Sequence, residues 1–268
     1  MHSHWSLVAF TLLVQTTAGS LWQLFLALLL IREPLAPRYF QVHIGFLLIL
    51  LAISLLSAMA HLGKPQKSIN SARNVTQSWL SKEIISVNLF AGVLVVITAA
   101  AALFQGVPQS LLLLSGSLAG AFALYTMTRI YLIRTVPAWN HTGTPLTFFG
   151  SACLLGSMPA LVLFQFAGAT VAAAQQAVAG AVVMGFCLLG VLLKILAARF
   201  IPYGKLTGRQ QMMPILQVIG VGILALILQL ESLGSAGFPL FVLPVAIICV
   251  GEYLNRKQFY ESYRRVGL

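Results

Sequence analysis

HLGKPQKSINSARNVTQSWLSKE, residues 61–83, interrupts a chain that is otherwise almost continuously apolar. The stretch holds four of the sixteen basic residues (Lys64, Lys67, Arg73 and Lys82) and Glu83, one of only five acids. His61 stands where the apolar run before it meets water. A polar island between two apolar runs, each of about 20 residues, is the pattern of helices that cross hydrocarbon and a connection that does not.

The rest of the chain repeats that pattern. Hydrophobic residues make up 59% and charged residues 8%, where a soluble domain carries roughly 25% charged. So few charges could not solvate a surface in water, so the solvent is largely lipid. With 268 residues and about 20 per span, there is room for about eight spans and no soluble domain of useful size. The expected fold is all-α: a polytopic membrane protein whose residues 1–268 form one domain, a bundle of eight transmembrane helices.

Spans are expected at 6–31, 40–60, 84–104, 109–133, 146–167, 170–197, 212–230 and 237–254. The first has no Lys or Arg before it and is too long for a signal-peptide core, so it reads as an uncleaved span. Trp5 and Trp22 are candidates for interface or packing roles. Pro34 and Pro37 end the first helix, and QGVP at 105–108 makes a tight turn. The other polar connections are RTVPAWNHTGTP at 134–145 and RFIPYGKLTGRQQ at 199–211. Gly116 and Gly120 stand at the GxxxG spacing that lets a neighbouring helix approach. Gly180, Gly185 and Gly190 lie along the sixth span, and Pro159 is a candidate kink in the fifth. A basic tail runs from Arg256 to Leu268.

Composition excludes several chemistries. All five acids are glutamates, with no aspartate in the chain, which removes the usual Asp-based metal and phosphoryl-transfer sites. Cys153, Cys187 and Cys249 are scattered through apolar runs without a CxxC, so the chain builds no iron–sulfur cluster or zinc knuckle alone and no metal site is expected. They read as buried thiols. His43 and His61 are eighteen residues apart on one helix, about 27 Å by helical rise, so bis-histidine haem is not expected. The net charge of +11 has no compact basic domain to present to nucleic acid. Its ordinary source is cytoplasmic loops facing anionic lipid.

The loop charges fix an expected orientation. Outside the spans, twelve Lys and Arg fall on the side of the termini and of the 61–83 loop, against Arg32 and Arg38 opposite. That asymmetry places both termini and the 61–83 loop in the cytoplasm. A basic surface that docks an acidic partner would produce the same bias.

The span centres carry no charge, which argues against a secondary transporter, as does the lack of an internal repeat. Interior amides such as Gln15, Gln175 and Gln176 are expected to satisfy one another between helices. The informative groups instead gather at span ends on the basic side: His61, Glu83, Arg129, Tyr131, Glu252 and Arg256. A quinone head group belongs at that level if its isoprenoid tail stays in lipid. Its chemistry requires hydrogen-bonding groups for the ring oxygens and a route for protons. A histidine titrating near neutrality and a partly desolvated glutamate supply both. Glu252 and Arg256, four apart on one helix face, are expected to pair with each other or with another span.

Three segments together resemble the membrane-anchor subunit family of dimethyl sulfoxide reductase, which includes anchors of related sulfite-oxidising molybdoenzymes. They are HLGKPQKSINSARNVTQSWLSKEI at 61–84, TRIYLIRTVPAWNHTGTPLTFF at 128–149, and GEYLNRKQFYESYRRVGL at 251–268. The eight-span pattern between them extends the resemblance over the chain. It implies a bacterial inner-membrane subunit, not catalytic alone, that holds a molybdopterin catalytic subunit and a four-cluster iron–sulfur subunit. Electrons would pass between those partners and exchangeable menaquinone or ubiquinone, with iron–sulfur clusters and molybdopterin only in the partners and no haem here. The histidine of HLGxP and the glutamate of LSxE, here His61 and Glu83, would form the quinol site. Arg129, Tyr131, Trp139, Glu252 and Arg256 are candidates for that site or for its support, and Lys64, Lys67 and Arg73 for docking a partner or lipid phosphates. TRIY at 128–131 departs from an expected VRVY but keeps the arginine and tyrosine. The alternative expectation is the anchor of a cytoplasm-facing, quinone-reducing sulfite dehydrogenase.

Overall fold

The computed structural model describes residues 5–62, 77–104, 106–167, 173–200, 208–232 and 238–263; the side chains of 61–62, 164–167, 173–174, 208–214, 229–232 and 238–239 lie outside that description. The described residues form eight α-helices and no strand. In chain order these are α1 (Trp5–Ile31), α2 (Pro37–Leu62), α3 (Trp79–Leu103), α4 (Gln109–Tyr131), α5 (Gly143–Ala167), α6 (Ala173–Ala198), α7 (Gly208–Ser232) and α8 (Phe238–Glu261).

Six of them, α1 to α6, are long and apolar enough to cross a bilayer, whereas α7 carries a shorter apolar segment, Ile215–Leu228. Their outer faces are as apolar as their inner ones: Val96, Leu118 and Leu226 are more than 60% exposed. In water such faces would drive aggregation, and in lipid they are solvated.

Two helix boundaries differ usefully from the sequence expectation. Helix α3 begins at Trp79, five residues early, because Ser78 caps it by accepting the Ser81 amide at 3.3 Å. That hydrogen bond satisfies one of the amides a helix start leaves unpaired. Glu83 therefore lies inside the helix instead of opening it. Helix α8 runs to Glu261, so Arg256 belongs to a helix and not to a basic tail. The other ends agree to within four residues.

Helix α1 is the hub, packing against α2, α4, α5, α6 and α8. One apolar core joins α1 to α5 through Val14, Leu21, Leu47, Phe90, Leu124 and Phe148. A second joins α5 to α8 through Leu154, Cys187, Leu224 and Ile248. The closest crossing lies between α1 and α5, where a side chain on Gly19 would strike the Ala152 carbonyl and one on Gly156 the Gly19 backbone. The Gly116 and Gly120 pair also works as expected, Gly120 lying against Ala18 and Gly116 against Ile97 and Leu21. Along α6 only Gly190 is at a close contact, with α5; Gly180 and Gly185 face open space. Cys153 and Cys187 are buried, but Cys249 is exposed on α8, contrary to the reading of all three as buried.

Candidate functional site

Glu83 is buried one turn into α3, and its Oε1 has no hydrogen-bond partner among the described residues. Trp79, at the start of the same helix, takes two cations against its ring: Lys82 Nζ at 4.3 Å and the Arg129 guanidinium at 4.7 Å. Each such contact contributes about 0.5–1 kcal/mol at a wet site and more when desolvated. Arg129 is thus drawn to the α3–α4 face, with its Nε buried and unpartnered among the described residues.

Tyr131, at the end of α4, meets α8. Its hydroxyl lies 3.0 Å from that of Tyr260, which in turn donates to Thr11 Oγ1 on α1 at 3.3 Å. The Tyr131 ring is enclosed by Trp139 edge-on at 5.4 Å, Phe148 at 5.3 Å and Phe259 at 5.3 Å. Trp139 stacks on Phe259 at 5.3 Å and donates from Nε1 to the Phe259 carbonyl at 2.8 Å and to Ser262 Oγ at 3.2 Å. The 134–145 connection is in this way tied to the last turn of α8. Trp139 and Tyr131 both hold that junction.

Deeper in the bundle, Glu252 and Arg256 look past each other to other helices. Lys194 of α6 reaches both oxygens of Glu252, at 2.7 and 2.8 Å. Gln217 of α7 and Ser151 of α5 each donate to the same carboxylate at 2.7 Å. Arg256 Nη2 donates to Gln15 Oε1 on α1 at 2.9 Å and to Ser151 Oγ at 3.4 Å, with the guanidinium 3.7 Å from the Phe148 ring centre. Ser151 lies eight residues into α5, about 12 Å by helical rise, so these charges meet about two turns in from the start of that helix. Of the two expected arrangements, pairing with another span is what occurs, and Gln15 serves Arg256 instead of another amide. At the opposite end of the bundle Gln175 donates to the Glu33 carboxylate at 2.7 Å.

Lys194 was not singled out by the sequence. It stands four residues before the end of a long apolar helix, where a lysine ordinarily extends to the interface. The available signal was Glu252, a carboxylate in an apolar run that needed a cation. Gln217, Ser151 and Tyr260 carried no signal of their own.

His43 and His141 are accounted for locally. His43 is buried between Ser20 Oγ, 2.9 Å from Nε2, and Tyr39 OH, 3.1 Å from Nδ1. His141 Nε2 donates to the Ala138 carbonyl at 3.0 Å; burial lowers its pKa, with that hydrogen bond pulling the other way. The side chain of His61, and all of Lys64, Lys67 and Arg73, lie outside the described residues. The structure therefore brings Tyr131, Trp139 and Arg256 into one connected group and links Glu252 to it through Ser151, while Arg129 belongs to the Trp79 contact and Glu83 keeps an unpartnered Oε1 among the described residues.

A sequence model of the DMSO reductase anchor subunit (DmsC) matches residues 1–261. The chain is 24% identical to the YnfH subunit of an anaerobic dimethyl sulfoxide reductase of Escherichia coli over 277 residues, 98% of this chain and 96% of the relative. It is 33% identical to the C subunit of the anaerobic dimethyl sulfoxide reductase of Escherichia coli over 169 residues, 61% of this chain and 58% of the relative. To the C subunit of the Haemophilus influenzae enzyme it is 31% identical over 157 residues, 56% of this chain and 54% of the relative. No solved structure matches the chain.

Proposed function

The chain belongs to the DMSO reductase anchor subunit family, and from that premise we propose that it is the quinone-reactive anchor of its complex. As a family member it is the multi-pass membrane anchor of a molybdoenzyme with catalytic and iron–sulfur partner subunits. The proposal adds that it exchanges electrons between menaquinone or ubiquinone and a four-cluster iron–sulfur subunit, with molybdopterin held by the catalytic subunit. All eight helices span the bilayer in this reading, α7 and α8 included. Both termini and the 61–83 loop face the cytoplasm, where Lys64, Lys67 and Arg73 meet a partner or lipid phosphates.

The observation that carries the reading is the buried carboxylate of Glu83, one of whose oxygens lacks a protein partner among the described residues. Burying an unpaired carboxylate costs several kcal/mol, so such a group inside a membrane protein marks a site that uses it. Glu83 suits one ring hydroxyl of a quinol as hydrogen-bond acceptor and proton acceptor. His61, on the adjoining helix end, serves the other. A quinol supplies two electrons and two protons; the chain's own residues orient the head group, take the protons and keep the electron path to the partner short.

The test uses the intact complex. His61→Ala and Glu83→Gln should leave the partner subunits co-purifying while quinol-driven reduction of the iron–sulfur subunit falls by about 10²-fold or more, the ordinary contribution of a positioned acid–base group. Undiminished reduction in both variants would sink the proposal. The basic bias of the terminal side favours a second reading, a cytoplasm-facing sulfite dehydrogenase that reduces quinone. Sulfite-driven reduction of a quinone analogue by the complex distinguishes it from quinol-driven reduction of dimethyl sulfoxide.

A further inference from the structure

Lys82 on α3 and Arg129 on α4 share one aromatic ring, that of Trp79, at 4.3 and 4.7 Å from its centre. The two positive charges are therefore within about 9 Å of each other, about a Debye length at physiological ionic strength, and they repel. Neither forms an ion pair among the described residues, and Arg129 Nε has no hydrogen-bond partner there. Glu83 follows Lys82 in sequence but is buried, whereas Lys82 and Arg129 are half-buried. Both cations stand at helix ends on one side of the bundle. Lys82 comes three residues after the start of α3 at Trp79, and Arg129 two before the end of α4 at Tyr131. The start of one helix beside the end of another sets opposite dipole ends together, so the local positive charge comes from the side chains.

An apolar strip continues from these cations along the same face of α4. Tyr125, Phe122 and Leu118 precede Arg129 at helical spacing, four, seven and eleven residues back, and all three are exposed. Tyr125 meets Trp79 edge-on at 6.1 Å, which joins the strip to the cation cluster. Leu118 lies about 16 Å from Arg129 by helical rise, and one leaflet occupies about half of a hydrocarbon core some 30 Å thick. Helices α3 and α4 are both long and apolar enough to cross a bilayer. The face thus offers cations and amphipathic rings at headgroup level, followed by apolar side chains to the depth of one acyl chain.

We propose that the α3–α4 face at Trp79 binds one anionic phospholipid, its phosphate between Lys82 and Arg129 and an acyl chain along Tyr125, Phe122 and Leu118. The phosphate relieves the repulsion between the two cations and accepts charge-assisted hydrogen bonds from both. A zwitterionic lipid adds an ammonium to a cluster in which no described carboxylate receives it, so the site favours lipids of net negative charge. Free phosphate shares the headgroup chemistry but leaves the apolar strip uncovered. An acidic protein segment outside the bilayer leaves it uncovered too, which is why the lipid is the occupant that fits the whole face. In the orientation proposed above, the site lies in the cytoplasmic leaflet, where anionic lipid gathers basic residues. The proposal is independent of the quinone-site reading.

The test uses the intact complex, delipidated in mild detergent, and phosphatidylglycerol carrying a photoreactive diazirine on one acyl chain. Irradiation followed by peptide mass spectrometry should place the label on α4 at the level of Phe122 and Leu118. Excess unlabelled phosphatidylglycerol or cardiolipin should suppress that labelling at least tenfold, while phosphatidylcholine and inorganic phosphate leave it unchanged. Lys82→Gln and Arg129→Gln should each weaken phosphatidylglycerol binding about fivefold, and the double variant about 25-fold, from the usual worth of one basic residue at an anionic membrane surface. Lys82→Arg and Arg129→Lys keep the charge and should bind within about twofold of the parent. Lys257→Gln removes a cation from α8 and should have no effect. Labelling of the parent that phosphatidylcholine suppresses equally would overturn the proposal in favour of an unselective lipid contact. Suppression by inorganic phosphate would reduce it to an anion site. Labelling absent from α3 and α4 in the parent would overturn the lipid as occupant and leave the face to a partner subunit. An equal loss of affinity in Lys257→Gln would show diffuse surface charge and no site.

Discussion

Replacing Lys194 by Met should be among the most damaging single changes in the bundle. The ammonium lies 2.7 Å from one Glu252 oxygen and 2.8 Å from the other, and the two side chains are 4% and 1% exposed. Met fills much the same volume, so packing is preserved and the electrostatic consequence is isolated. Glu252 would keep its bonds from Ser151 and Gln217 but lose its only contacting cation among the described residues. Leaving one charge of a buried pair uncompensated costs about 3–5 kcal/mol, which is roughly two to three and a half orders of magnitude in the unfolding equilibrium. The double variant Lys194→Met/Glu252→Gln should recover most of that loss, because a neutral amide still bonds Gln217 and Ser151 and neither charge of the pair remains. Lys257→Ala is the control. Its pair with Glu261 spans 3.9 Å with both side chains more than half exposed, and water already solvates each charge, so no measurable loss is expected. Detergent-to-SDS unfolding of the purified protein, followed by tryptophan fluorescence, reads the parent and all three variants. Lys194→Met no less stable than Lys257→Ala, or a double variant as unstable as Lys194→Met, would refute the reasoning.

Three further outcomes follow from the same contacts. Gly156→Val should prevent close packing of α5 on α1 and abolish recovery of folded protein, whereas Gly180→Ala, facing open space, should raise stability by about 0.5–1 kcal/mol; detergent extraction yield and thermal unfolding separate them. Trp139→Phe removes the donors to the Phe259 carbonyl and Ser262, so amide hydrogen exchange in the last two turns of α8 should accelerate while that of α1 stays unchanged. Burial holds the His141 pKa below its ordinary 6.5, so its neutral form is favoured in the fold. The stability this contributes is complete above about pH 6.5 and declines as pH falls toward the folded value, and His141→Gln should flatten that acid limb in thermal unfolding.

The buried polar groups explain how the two apolar cores act as one body. Arg256 ties α8 to α1 and α5, and Glu252 ties it to α5, α6 and α7. Inside a bilayer such bonds have no water to compete with them, although measured worths are modest, about 0.6 kcal/mol each on average. Their larger effect is to fix the register of α8, the helix that places Tyr260 beside Tyr131. The contact of Tyr260 with Tyr131 therefore depends on polar groups about one and two turns earlier in α8.

By itself the sequence determined the class of fold and its punctuation. Hydrocarbon demands about 20 apolar residues per helix and satisfied backbone groups, so the number of helices among the described residues and the connections between them were legible in one dimension. GxxxG at 116–120 likewise predicted a close approach, and Ala18 is there to meet it. Tertiary structure alone decided the partners. Arg256 bonds Gln15 across 241 positions, and Tyr260 bonds Thr11 across 249. Such choices depend on which helices neighbour one another and how each is rotated, and apolar helices with lipid on one side and protein on the other carry almost no amphipathic signal to say so. For the same reason the lone glycines at the tightest crossing, Gly19 and Gly156, and the lysine that neutralises Glu252 became visible only when the helices were packed.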